Sequence, residues 1–200
     1  NEDDVTPAIA KALGGGPATD LAWTIVWIRD TNEDGVGRVF ARRIASNGAL
    51  GAGNLVVDGA DNCANPVVSA RLDNALDGSP DRPSIVAFER LRPSTLVPGS
   101  LEGDIQLKVV RDNLAGPLSS VTLMEDFDAA LDQRRPAITT NGRGFCVAYI
   151  EERYDAPAGG DWNVHMTTGA LTVELGNVFA ALVERHQGMA TTTLPELPVR

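Results

Sequence analysis

Trp23-Thr24-Ile25-Val26-Trp27-Ile28-Arg29-Asp30-Thr31-Asn32-Glu33-Asp34-Gly35-Val36-Gly37-Arg38-Val39-Phe40-Ala41-Arg42-Arg43-Ile44 is the stretch that decides the fold. Thr24 to Ile28 is a short apolar run with an aromatic at Trp27. A polar loop, Arg29 to Gly35, separates it from a second run, Val39 to Ile44. The pattern predicts two antiparallel strands joined by a turn-rich loop. The unit returns twice. Ser84-Ile85-Val86-Ala87-Phe88 precedes Ile105-Gln106-Leu107-Lys108-Val109-Val110, and Phe145-Cys146-Val147-Ala148-Tyr149 precedes Trp162-Asn163-Val164-His165-Met166. Trp27, Phe88 and Tyr149 are spaced 61 residues apart in both intervals (88 − 27 and 149 − 88). A fixed period of this kind signals a repeat architecture. The three aromatics are therefore expected at superposable places in three successive sheets.

Each repeat divides into four strands. The first opens on a proline, in Pro7-Ala8-Ile9-Ala10, Pro66-Val67-Val68-Ser69-Ala70 and Pro136-Ala137-Ile138-Thr139, where a missing amide costs no ladder bond. The second is the aromatic-bearing run. Its consecutive apolar residues suit a strand buried on both faces. The third carries charge, with Arg42, Lys108 and His165 assigned to one slot and read as solvated. The fourth is Asn54 to Val57 in repeat one and Ser120 to Leu123 in repeat two. In repeat three, Gly169-Ala170-Leu171 and Gly176-Asn177-Val178-Phe179 match Gly48-Ala49-Leu50 and Gly53-Asn54-Leu55-Val56. Val178 to His186 also permits helical spacing, but the register with repeat one favours a strand.

Four-stranded units with an apolar second strand predict an all-β, β-propeller-type fold. Three antiparallel blades cover about 5–62, 63–133 and 134–190, and 191–200 starts a further blade or forms a tail. Phe40-Ala41-Arg42-Arg43-Ile44 followed by Asn47-Gly48-Ala49-Leu50-Gly51 resembles the blade repeat of large bacterial exported or cell-surface β-propeller proteins. That resemblance implies a structural unit of a secreted, periplasmic or surface protein, with no catalytic residues common to its blades. Propellers close with four to eight blades, so a ring of three is incomplete. Its open flanks call for further blades of the same parent or for other subunits.

Composition narrows the function. Apolar residues make up 43% of the 200, enough to build a core, and the formal net charge is −10. Such a charge repels nucleic-acid backbones and anionic membrane surfaces, and no apolar run is long enough to span a bilayer. The chain begins at Asn1 with no signal-like segment, which reads as a processed or excised piece. Lysine is confined to Lys11 and Lys108, and the loops are acidic and glycine-rich, a leaning towards export.

Candidate sites are few. Asp30-x-Asn32-x-Asp34-Gly35 has the spacing of the first half of a calcium loop, in which alternate oxygens converge on a hard cation. Position twelve of such a loop is Ala41 and not glutamate, so this is no EF-hand, and the competing reading is an Asp-Gly turn closed by its own side chains. Calcium at Asp30, Asn32 and Asp34 is the single cofactor that the sequence suggests. His165 and His186 are the only histidines, too few for a transition-metal centre. A serine-hydrolase elbow and a sialidase box are both missing. Asp30, Glu89, Glu151 and Glu152 recur after the second strands beside Arg29, Arg90 and Arg153, as rim charges or as glycosidic acids and bases. Cys63, in an Asp/Asn-rich stretch read as a loop, is expected to be the more reactive thiol, and no Cys63–Cys146 bridge is expected. The leading expectation is a non-catalytic binding or assembly module. The alternative is part of a glycan-acting propeller enzyme.

Overall fold

A computed structural model describes residues 3–10, 22–45, 47–70, 83–94, 98–111, 119–125, 131–141, 144–153, 162–174 and 178–186. These residues are all-β, with eleven strands: β1 (Asp3–Ala10), β2 (Ala22–Asp30), β3 (Gly37–Ala45), β4 (Leu55–Val68), β5 (Ser84–Pro93), β6 (Leu101–Arg111), β7 (Ser119–Glu125), β8 (Leu131–Thr140), β9 (Gly144–Arg153), β10 (Trp162–Glu174) and β11 (Val178–His186). Every pairing is antiparallel between chain neighbours. The segment 178–186 is a strand, as its register predicts. The expected 191–200 start of a further blade lies outside the described residues.

The expectation of three separate sheets is corrected. β1 to β7 form one seven-stranded sheet, and β8 to β11 form a second of four. Trp27 and Phe88 therefore share a sheet. The cause is β4, which serves at once as the fourth strand of the first repeat and the first strand of the second. The polar stretch Asp58 to Cys63 continues as strand instead of forming a loop. Gly59 to Asn62 all fall opposite Arg38, between the pairs Val39↔Asp58 and Gly37↔Cys63. A bulge of this size bends the strand and raises its twist, so the sheet curls and β4 folds back towards β1 and β2. Arg38 spans the bulge to Asp61 at 2.6 Å. The second sheet holds the four strands expected of the third repeat, with β10 running on through Gly169-Ala170-Leu171.

The prolines do not open their strands; each sits inside one, at a bulge. Thr6-Pro7 stands opposite Trp27, Asn65-Pro66 opposite Phe88, and Arg135-Pro136 opposite Tyr149. The first residue of each pair has positive φ, at 47°, 48° and 53°, a conformation uncommon outside glycine. The local unit therefore repeats three times even though the sheets number two.

Burial shows how the units stack. Phe88, Val86 and Val110 share a core with Val26, Ile28, Val39 and Ala41. Side chains alternate across a strand, so the other face of the same two strands presents Ile85, Ala87, Ile105, Leu107 and Val109. These join Phe145, Val147 and Tyr149 in a second core. Phe88 thus packs towards the first unit and Tyr149 towards the second. In both interfaces the aromatic face of the later unit meets the opposite face of the earlier one.

Candidate functional site

Polar side chains converge where β8 closes on β5 and β6. β7 pairs with β6 only over Gln106 to Arg111, which leaves Leu101 to Ile105 with an unpaired edge. An uncovered edge is an aggregation liability, and here β8 covers it with side chains. The Gly103 amide donates to Asp132 Oδ1 at 2.7 Å, and the Ile105 amide donates to Gln133 Oε1 at 3.0 Å. Arg134 donates through Nε to Asp132 at 2.5 Å and through Nη2 to the Leu101 carbonyl at 2.6 Å. The approach is close enough that a Cβ on Gly103 would lie 2.6 Å from the Gln133 carbonyl oxygen.

Glu89 is the centre of this network and is buried. Its Oε1 accepts from Asn65 Nδ2 at 2.8 Å and from the Arg135 amide at 2.6 Å, and its Oε2 faces Arg134 Nη1 at 3.4 Å. The strained Asn65 and Arg135 of two successive bulges are thus tied to one carboxylate. Beside them lies a cleft of about 480 Å³ lined by Asn65, Glu89, Asp132, Arg134, Arg135 and Ile150. Glu151 accepts a long hydrogen bond from Gln133, 3.5 Å. Glu89 and Glu151, named from sequence as rim acids, therefore both serve the junction of β5, β8 and β9. Arg29 pairs with Asp4 at 2.9 Å, and its guanidinium lies 4.5 Å over the Phe40 ring. The side chains of Glu152 and Arg153 lie outside the described residues.

A second polar seam lies on the inner face of the curled sheet. Lys108 is inward, ion-paired with Asp58 at 2.8 Å and donating to the Val57 carbonyl at 3.0 Å. Arg42 donates to the Gly51 carbonyl. The solvated reading is therefore corrected for Lys108; Arg42 is half-buried on the face of Ile25, and the side chain of His165 lies outside the described residues. Arg42 and Lys108 stand opposite Ile25 and Val86, and the equivalent residue in the third unit, opposite Val147, is Thr167 and not His165. Burial works to raise the Asp58 pKa, but the Lys108 ammonium, the Ala60 amide and the Arg90 charge outweigh it and hold the carboxyl below 3.8. Gln106, also buried, has no partner for either amide atom among the described residues. Further along, Arg92 pairs with Asp104 at 2.8 Å.

Cys63 lies in β4, fully buried between Gly37 and Arg90. Burial first, and then the Asp58 charge, push its thiol up to about 12. The expectation of a reactive Cys63 is corrected, since the thiolate is the nucleophile. Both cysteines are free. Native protein treated with iodoacetamide at pH 8 should leave Cys63 unmodified in a peptide map until the chain unfolds. Rapid native alkylation there would contradict its placement.

Asp30 closes its own loop. Oδ1 accepts from the amides of Asn32 and Glu33, each at 2.8 Å, and Oδ2 accepts from Gly35. Asp34 takes the Val36 amide, and Gly35 turns at φ 80°. These are the bonds of an Asx-closed turn. Desolvation works to raise the Asp30 pKa, and the amide donors reverse it to a net lowering below 3.8. A lowered folded pKa gives stability that is present above the unfolded value and lost as pH falls through the folded one. Asp30→Asn keeps one acceptor and turns an amide donor on Gly35, so it should lower stability at pH 7. That deficit should shrink below about pH 4, where wild type loses its own Asp30 contribution. A deficit independent of pH in urea titrations would contradict the ionised acceptor.

Among the described residues, no group of three or more His, Cys, Asp or Glu side chains is placed to hold a metal ion. His165 and His186 lie on β10 and β11, and their side chains are outside the described set. The Glu89 junction escaped the sequence because its parts come from four strands. The visible signal is the repeated Asn65-Pro66 and Arg135-Pro136, which by composition suits strand openings as well as bulges. No protein-family model, curated protein or solved structure matches this chain.

Proposed function

We propose that this chain is a propeller-type stack of three blades from an exported bacterial protein, serving in binding or assembly and not in catalysis. The observation that carries the reading is the order of faces. The aromatic face of one unit is buried on the opposite face of the unit before it, twice in succession. Propeller blades stack in this sense, and a long β4 shared between the first two units is compatible with it. The cleft beside Glu89 is the natural small-ligand place, with Arg135 exposed on its wall. Glu89 itself, with both oxygens engaged, acts there as a structural lock.

The glycan-enzyme alternative needs a pair of acids free to exchange protons. Wild type and Glu89→Gln should both leave a panel of glycans intact, while Glu89→Gln lowers stability. Hydrolysis by wild type that Glu89→Gln abolishes would overturn the non-catalytic reading. Calcium at Asp30, Asn32 and Asp34 stays a separate proposal, and it would show as a calcium-dependent rise in melting temperature that Asp34→Asn removes.

A further inference from the structure

Two successive arginines, Arg134 and Arg135, line the cleft beside Glu89 together. Neighbouring side chains on a regular strand point to opposite faces. The bulge breaks that alternation, since Arg135 turns at φ 53°, and a bulge can re-aim a side chain in this way. The two arginines then have different duties. Arg134 is committed to the protein: Nε donates to Asp132, Nη1 to Glu89 and Nη2 to the Leu101 carbonyl. Arg135 serves Glu89 through its amide, at 2.6 Å, while its side chain is exposed on the cleft wall. Asn65, at the preceding bulge, is placed likewise. It is exposed, turns at φ 48°, and gives Nδ2 to Glu89 at 2.8 Å. That bond fixes its amide so that Oδ1 faces away from the carboxylate and can accept.

The cleft, of about 480 Å³, falls within the size range of small-molecule sites. Five of its six lining residues are polar or charged, which suits a polar ligand. Arg134 and Arg135 balance Glu89 and Asp132, so the lining is neutral in a chain of formal charge −10. Both acids are already answered. Glu89 accepts from Asn65, Arg134 and the Arg135 amide, and Asp132 accepts from Arg134 and the Gly103 amide. A cation would have to compete with Arg134 for them. A carboxylate would meet the Arg135 guanidinium, whose fork can hold it through two parallel bonds. A hydroxyl beside it would donate to Asn65 Oδ1, and a C–H face would rest on Ile150. Carboxylate, hydroxyl and C–H face together describe an acidic sugar. We infer that this cleft binds a uronate and that Arg135 selects its charge. The inference rests on the binding reading of this chain and gives that reading a ligand class.

The test titrates the methyl-labelled 200-residue chain with galacturonate, galactose and galactosamine, following the Ile150 methyl resonances. Galacturonate should shift them and bind at least about 10-fold more tightly than galactose. Galactosamine should bind no better than galactose. Arg135→Met should weaken galacturonate by about 10- to 100-fold, since it removes a charge-assisted pair, and should leave galactose unchanged. Arg135→Lys keeps the charge and loses the fork, so its affinity should fall between the two. Both variants retain the backbone amide that binds Glu89, so their urea midpoints should match wild type, which separates lost binding from lost folding. Trigalacturonate distinguishes the source: it binds more tightly than the monomer if the sugar comes within a chain, and no more tightly if it comes free. Equal affinity for galacturonate and galactose, tighter binding of galactosamine, or wild-type affinity in Arg135→Met would each overturn the inference. No preference for the uronate, with polygalacturonate left intact, would end the inference and leave the non-catalytic blade reading standing. Hydrolysis of polygalacturonate would end that reading, whatever the affinity of the cleft.

Discussion

Lys108→Met should destabilise the protein by about 3–5 kcal/mol at pH 7, the cost of leaving a buried charge without its partner. Asp58 is nearly inaccessible and its Oδ2 rests on Lys108 Nζ at 2.8 Å. Its remaining support is the Ala60 amide, the Cys63 thiol and the more distant Arg90 charge, less than water gives an ion. Without Lys108 the desolvation that works to raise the Asp58 pKa is no longer outweighed by the ammonium. The carboxyl then titrates at higher pH than in wild type. The deficit should therefore be largest near neutrality and shrink as pH falls and Asp58 becomes neutral. Asp58→Leu combined with Lys108→Met should recover most of the loss, because replacing both partners removes the unpaired charge. Urea denaturation of the two single variants and the double variant at two pH values measures this. Additive losses would contradict a buried pair.

Gly103→Ala should be of similar size, about 3–5 kcal/mol, for a steric reason. Its Cβ would meet the Gln133 carbonyl oxygen at 2.6 Å and Arg134 at 3.1 Å. Backbone cannot yield as a side chain can, so β8 must move away from β6. That costs about 1–3 kcal/mol in overpacking, and the bonds from Gly103 to Asp132 and from Ile105 to Gln133 lengthen with it, at about 1 kcal/mol each. Gly59→Ala is the control, since its nearest neighbour there is Val56 Cγ1 at 3.7 Å. It should change stability by less than about 1 kcal/mol. Equal effects at the two glycines would contradict the close approach of β8 to β6.

The sequence carried the strand content, the 61-residue period and the antiparallel order. All three depend on local alternation and turn chemistry, which a single chain displays. It hid the joining of the first two units. Asp58 to Asn62 reads as a loop by composition, and only the pairing of Cys63 with both Gly37 and Arg90 makes it strand. It hid the direction of Lys108 for the same reason, because a lysine is solvated by default and turns inward only where another strand brings a carboxylate. The rim acids were found by position and their partners were not. Glu89 binds Asn65, Arg134 and Arg135, which are 24 to 46 residues away, and no spacing rule reaches that far. The period relates Trp27, Phe88 and Tyr149 to one another but not to their sheets, since the first two share one, and the bulged proline pairs opposite them carry no local signal that tells a bulge from a strand opening.

The order of faces is best tested by side-chain nuclear Overhauser contacts in the methyl-labelled protein. The Phe88 ring should report the methyls of Val26, Ile28 and Val39 in the first core, and the Tyr149 ring those of Ile85, Ile105 and Leu107 in the second. Contacts from Phe88 to Val147, or from Tyr149 to Val26, would contradict the head-to-tail stack.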